Sequence, residues 1–289
     1  MQIVPYQPAH LPGLYTIYRQ ATANIPHCRF IPSQTYTGQA LARAEQAGAG
    51  LLVAEDHGAV QGIVMLRPVA PGRDDMPQLE ITGLFAPDEA TVALLLAACF
   101  SWAEGAQRIV AFPAEDGHCP MPAYNSGWDG LSDQMPSVAR VLARHGFAPT
   151  YRELHLECTA PHFPPPPLPA PPGITLVEST GDGYLAVRAM AGDQEAGICL
   201  YMRMSKYSDH PEASGWGYID WLHVTEAQRR RGLGRYLITW ALRRLWEQRC
   251  LGCWLTTIAG NWSAQALYLS LGFEILDTSS SWAKLIRTS

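Results

Sequence analysis

The sequence predicts an α/β protein made of two tandem domains of one plan, each a mixed, mostly antiparallel twisted sheet flanked by helices. Three observations carry this. The 289 residues suit two domains of about 150 each, and 47% hydrophobic content can fill two cores. The same order of apolar segments and turn residues occurs on either side of a proline-rich stretch. Finally, a Gly-Phe pair closes a short helix late in each half, at Gly146-Phe147 and Gly272-Phe273, 126 positions apart. Solenoid units run about 20 to 50 residues, so this spacing marks a duplicated domain.

In chain order, helices are expected within Leu11 to Gln46. Gly50 to Glu55 and Val60 to Leu66 then read as strands joined by a tight turn at Asp56-His57-Gly58. Strand Leu79 to Phe85 leads into the uncharged apolar run Thr91 to Ala103, whose 13 residues make a core helix and fall short of the roughly 20 needed to span a membrane. Strand Arg108 to Phe112 and the helix before Gly146 complete the first half. Pro161 to Pro172 holds eight prolines in twelve residues, a composition for an extended rod. The expected division is therefore a domain over 1–159, a linker over 160–173 and a domain over 174–289. In the second half Ile174 to Glu178 is a strand. Tyr184 to Arg188 and Ala196 to Met202 flank a turn at Ala191-Gly192-Asp193, and Tyr218 to Val224 and Cys253 to Ile258 are further strands. Between these last two, Leu237, Ile238, Ala241, Leu242 and Leu245 form one helical stripe, with Arg235, Arg243 and Arg244 turned away. Strict alternation along Tyr218 to Val224 would put Tyr218, Asp220, Leu222 and Val224 on one face and Ile219, Trp221 and His223 on the other.

Composition narrows the function. With 21 basic against 26 acidic residues and a net charge of -5, no global positive field exists to attract nucleic acid. The start, Met1 to Pro5, shows no basic segment followed by an apolar stretch, so a cytoplasmic protein without membrane attachment, a monomer or homodimer, is expected. The seven cysteines (28, 99, 119, 158, 199, 250, 253) are odd in number and scattered, as for reduced thiols. Cys250-Leu-Gly-Cys253 has half the spacing of a zinc site but no partner pair, and His118-Cys119 has no base nearby in sequence, so no metal is expected.

Chemistry concentrates at Gln228-Arg-Arg-Arg-Gly-Leu-Gly-Arg235, a basic turn with two glycines that feeds a helix N-terminus. The first helical turn leaves amides unpaired and carries partial positive charge, which suits a phosphate. The stretch is not a dinucleotide fingerprint, because Leu237 stands where a third glycine belongs, and no Gly-Lys-Ser/Thr follows. Arg229-Arg-Arg-Gly232-Leu-Gly234 resembles instead the Arg/Gln-x-x-Gly-x-Gly/Ala loop of the GNAT superfamily of N-acetyltransferases. A second motif of that family, Asn-x-x-Ala-x-x-Leu-Tyr-x-x-x-Gly-Phe, is matched by Asn261, Ala264, Leu267, Tyr268, Gly272 and Phe273. The motifs cover residues 174–289, whereas 1–158 resemble the family by layout alone.

The resemblance implies an N-acetyltransferase that moves acetyl from the cosubstrate acetyl-CoA to a primary amine of a small molecule or peptide, by direct attack in a ternary complex. The main-chain amides of Arg230, Arg231, Gly232, Leu233, Gly234 and Arg235 would hold the CoA pyrophosphate, with Arg229 supporting the turn. The strand end Leu222, His223 and Val224 would lie along the pantetheine arm, and the Val224 amide would face the thioester carbonyl. Asn261 and Ala264 would line the cofactor from the helix side. Tyr268 would protonate the leaving thiolate, and Asp220 would deprotonate the acceptor ammonium through water or pair with it as a cation. His223 is the competing base, set aside by parity. The loop Ser205 to Gly217, with Asp209, Glu212 and Trp216, would border the acceptor entrance. A non-catalytic acyl-CoA sensor or scaffold is the alternative, and a purely structural pair with the arginine run as surface charge is a third reading.

Two departures from the family stand out. In the first half the turn Ala86-Pro-Asp-Glu-Ala-Thr-Val92 lacks Arg and Gly, and Met135, Val138 and Leu142 replace Asn261, Ala264 and Tyr268, so residues 1–158 read as a degenerate copy that binds no acetyl-CoA. In the second half only Ser179 to Gly183 separates strand and hairpin, where the family inserts two helices that wall the acceptor pocket. The first domain is expected to replace that wall.

Overall fold

The computed structural model describes residues 1–26, 31–69, 77–113, 121, 130–181 and 183–286. They divide into two compact units, Met1–Glu153 with Asp277–Ser289, and Leu154–Leu276. Cys28, His118 and Cys119 lie outside the described residues.

The chain opens with β1 (Gln2–Pro5), α1 (Leu11–Thr22) and α2 (Gln34–Gln46), then β2 (Gly50–Asp56), β3 (Ala59–Val69), β4 (Gln78–Phe85), α3 (Glu89–Trp102), β5 (Arg108–Ala111), the short β6 (Leu131–Ser132) and α4 (Pro136–Arg144). The turn between β2 and β3 places His57 (φ 49°) and Gly58 (φ 81°) in the left-handed region, the geometry that matches strand twist in a two-residue hairpin. The sheet order is β1-β2-β3-β4-β5, antiparallel except for the β4–β5 pair, which the α3 crossover makes parallel. Leu95, Leu96 and Cys99 of α3 are fully buried in this unit's core.

The second half contributes β7 (Ala148–Thr159), β8 (Ile174–Gly181), β9 (Tyr184–Ala191), β10 (Gln194–Arg203), β11 (Trp216–Val224), α5 (Leu233–Glu247), β12 (Gly252–Ile258), α6 (Trp262–Leu269) and β13 (Glu274–Leu285). The second unit's sheet runs β8-β9-β10-β11-β12, with β7 next to β12. The five-residue stripe expected on α5 is buried in a core with Val187, Ala189, Cys199, Tyr201, Ile219, Cys253 and Phe273. Cys250 and Cys253 are buried thiols in the same core, held protonated by burial, Cys250 at about 11.

Two features differ from the expected domain bounds. Each unit takes its last strand from the other half of the sequence. Asp277–Leu285 lies antiparallel to β5 (Trp282↔Ala111 to Leu285↔Arg108), while Leu156 and Cys158 of β7 enter the second unit's core. The proline stretch is irregular but not a free rod: Phe163 is buried in that core, Leu168 packs against it, and the Pro165 carbonyl accepts a hydrogen bond from Arg243 of α5 (3.2 Å). Apolar residues interleaved with the prolines give the segment a surface to bury.

Candidate active site

The site grows from a break in the second sheet. β11 and β12 pair in parallel from Trp216↔Gly252 to Ile219↔Leu255 and no further. On its other edge β11 pairs with β10, but the register jumps: Tyr201 faces Ile219 and Leu200 faces Trp221, so Asp220 is an unopposed bulge residue. The bulge corrects the expected parity. Ile219, Leu222 and Val224 belong to the α5-side core, opposite Tyr201, Cys199 and Gly197, while Tyr218, Trp221 and His223 face the other side with Met202, Leu200 and Ile198. Tyr218 therefore does not share a face with Leu222 and Val224. His223 is exposed on the side away from α5.

Main-chain directions follow from the ladder. The Thr225 amide donates to the Ala196 carbonyl at 2.9 Å, so Thr225 and His223 direct their main-chain groups at β10. The groups of Leu222 and Val224 consequently point the other way, into the gap that β12 has left.

Beyond the strand the chain turns through Arg230 (φ 63°) and Gly232 (φ 82°) into α5. Gly232 is the N-cap and offers no side chain to the helix start, whose first bond is Tyr236 N–H to Gly232 C=O at 3.0 Å. Among the described residues, none accepts a hydrogen bond from the amides of residues 230–235. Arg229 Nε donates to the Val224 carbonyl at 3.1 Å, which pins the turn to the strand end, and the Arg235 guanidinium hydrogen-bonds Ser270 beyond α6. A Cβ on Gly234 would make only ordinary contacts, 3.6 Å to Leu267 Cδ2 and 3.7 Å to Val224 Cγ2. A Cβ on Gly232 would meet no atom within 4 Å.

Asn261 is the N-cap of α6: its Oδ1 accepts from the Ala264 amide and from Ser263 Oγ, both at 3.2 Å. The cap engages Oδ1 of this side chain. Tyr268 is 7% exposed, with its ring centroid 5.9 Å from that of Phe273, and burial raises its phenol above the ordinary value. Half-burial raises the Asp220 carboxyl, and the charge of Lys206 works against that rise. In the Ser205 to Gly217 loop, Asp209 and Glu212 are exposed, and the Trp216 ring packs where a Cβ on Gly252 would stand. Sequence reasoning missed Tyr184, Lys206 and Tyr207. The Lys206 ammonium lies 3.1 Å from the Tyr184 ring centroid, and Tyr184 and Tyr207 bring their phenol oxygens to 3.5 Å. Only the adjacency of Lys206 and Tyr207 is visible in the sequence, because Tyr184 comes from another strand.

The first unit repeats this architecture with different residues at the corresponding places. Gly62 and Gly197 are equivalent, since an added Cβ would come to 2.8 Å from the Phe85 carbonyl oxygen in one and 2.7 Å from the His223 carbonyl oxygen in the other. The bulge recurs between Met65 and Leu66, where Thr82 stands in the place of Asp220. At the start of α3 the Asp88 carboxylate accepts from the Thr91 amide at 2.8 Å, so an anion of the protein itself sits at that helix N-terminus. Met135, Val138 and Leu142 are buried. A cavity of about 260 Å³ between Ala86-Pro87 and Met135–Val138 is lined by apolar and neutral polar side chains. Among the described residues, no group of three or more His, Cys, Asp or Glu side chains could hold a metal ion. No described helix is long and apolar enough to cross a membrane.

Residues 148–273 match the model of the Acetyltransferase (GNAT) family. Over its whole length the chain is similar to solved structures. A tandem GNAT protein from the clavulanic acid biosynthesis pathway, solved without AcCoA, is 16% identical with a TM-score of 0.69, covering 100% of this chain and 99% of that one. A GCN5-related N-acetyltransferase from Sphaerobacter thermophilus is 16% identical with a TM-score of 0.65, covering 100% and 96%. At such identity the likeness is one of fold. A search of curated proteins returned no match.

Proposed function

We propose, from the match of residues 148–273 to the acetyltransferase (GNAT) family, that the second unit transfers acetyl from acetyl-CoA to a primary amine by direct attack in a ternary complex. The observation that carries this reading is the bare helix start: no described residue accepts from the amides of residues 230–235, the cap has no side chain, and the β11–β12 pairing ends one residue before Asp220. A diphosphate is the ligand that such a turn satisfies, and the exposed strand edge of Leu222 and Val224 matches the amide groups of a pantetheine arm. Bound acetyl-CoA supplies the activated acyl group. Arg230, Arg231, Gly232, Leu233, Gly234 and Arg235 hold the phosphates, and Arg229 keeps the turn against the strand. The Val224 amide, pointing into the gap, donates to the oxygen on which negative charge develops. Asp220 accepts the acceptor's proton, for which a carboxyl raised above the usual range is better matched than an ordinary one. Tyr268 stays protonated at neutral pH and donates to the leaving sulfur.

A non-catalytic acyl-CoA sensor is the second reading, favoured by the deep burial of Tyr268 beside Phe273, which a purely packed tyrosine would share. Thiol release from acetyl-CoA, measured against a panel of primary amines with the full chain, Asp220→Ala and Tyr268→Phe, separates the two. Turnover that both substitutions lower supports the transferase. Coenzyme A binding without turnover on any amine supports the sensor.

A further inference from the structure

Lysine is scarce in this chain: Lys206 and Lys284 are its only two among 21 basic residues, so Lys206 is the sole lysine of the second unit. It ends the one-turn segment Met204–Lys206 after β10 and is exposed. Two ring faces hold its ammonium, that of Tyr184 at 3.1 Å and that of Tyr207 at 5.5 Å from the centroids. From there a row of aromatic rings leads inward. Tyr207 meets Tyr218 edge to face at 6.4 Å, and Tyr218 meets Trp254 at 5.7 Å. Tyr218 and Trp254 are register partners, one pair before β11 and β12 part, and Asp220 follows two residues later. The row thus ends where the gap opens.

We propose that Tyr184 and Tyr207 form the acceptor's cation site and that Lys206 is its built-in place-holder: the acceptor is a primary alkylammonium that displaces the Lys206 ammonium from the ring faces on its way to Asp220. This rests on the transferase reading above. The chemistry is that of like replacing like. The negative faces of the two rings attract any ammonium, and an exposed ammonium on a flexible four-carbon stem can leave for water. While Lys206 fills the site, the apparent affinity for an outside ammonium is lowered by the fraction of molecules in which the site is free. The field of Lys206 at Asp220 agrees with this placement, since the acceptor would bring the same charge to the same side.

Calorimetry of the full chain with n-butylammonium chloride, in the presence of saturating coenzyme A, tests the idea. Lys206→Met is expected to bind n-butylammonium at least 10-fold more tightly than the unmodified protein, and adding Tyr184→Leu is expected to abolish that gain. Lys206→Gln, which keeps a polar residue at the end of the turn, should reproduce the gain if Lys206→Met fails to fold. Unchanged or weaker binding in both lysine variants, or no n-butylammonium binding by any of the proteins, overturns the proposal. The coenzyme A titration of the same samples reads the transferase premise separately: if coenzyme A binds while the ammonium responses are flat, only the place-holder fails.

Discussion

Asp220 owes its position to a single extra residue. Strict alternation would turn this carboxyl into the α5-side core, whereas the bulge interrupts the alternation at Asp220 itself, one residue past the last β11–β12 pair. Its carboxyl titrates above the ordinary 3.8, chiefly because burial disfavours the charge. Turnover is therefore expected to fall as pH drops through that raised value, and the acid limb should disappear in Asp220→Asn along with a loss of about 10²- to 10⁴-fold in rate. The linkage has a definite sign. A folded-state value above the unfolded one gives a contribution present at low pH and lost as pH rises through the folded value, so near neutrality the ionised carboxylate destabilises the fold. Asp220→Asn should raise Tm at pH 7 to 8 and leave it nearly unchanged at pH 3; a lower Tm at pH 7 would contradict the burial argument. His155, fully buried and depressed to about 3, acts in the opposite sense. Stability should be lost as pH falls from about 6.5 toward 3, and His155→Phe should flatten that stretch of a Tm-versus-pH curve. The identity of Asp220 was legible in the sequence. Its facing was not, because alternation assumes an unbroken ladder and nothing in Tyr218-Ile-Asp-Trp-Leu announces a bulge.

At the scale of elements, the two long crossover helices differ at one end. α3 begins with the Asp88 carboxylate on its amides, and α5 begins with Gly232 and open amides. Gly234→Asp should convert the second state into the first. Its Cβ meets only ordinary contacts, and an acid in the first turn is worth about 0.3 to 1 kcal/mol to the helix. Differential scanning should thus find Tm unchanged or slightly higher, while coenzyme A affinity falls at least 100-fold. Unchanged affinity would mean that the ligand does not use this turn. The glycine-bearing turn and the buried stripe of α5 were both readable, since a 3.6-residue period and a local motif each lie within one segment. The tyrosines around Lys206 were not, because they are brought together from β9 and from the turn after β10.

For the whole molecule, the duplication was visible as a 126-residue offset, but the exchange of last strands was not. Periodicity shows that a strand exists and not which neighbour it joins, and the proline stretch drew the boundary between strands that belong to opposite units. A fragment of residues 174–289 lacks Leu156, Cys158 and Phe163 from the second core and carries a β13 without its β5 partner. It is expected to be insoluble or unfolded by circular dichroism, and a folded fragment would contradict the exchange. The proposed division of labour, with the α5 start open and the α3 start closed by Asp88, is most sharply testable as a stoichiometry. Titration calorimetry of the full chain with coenzyme A should give one site per chain, removed by Gly234→Asp; two sites, or no heat at all, would contradict the account.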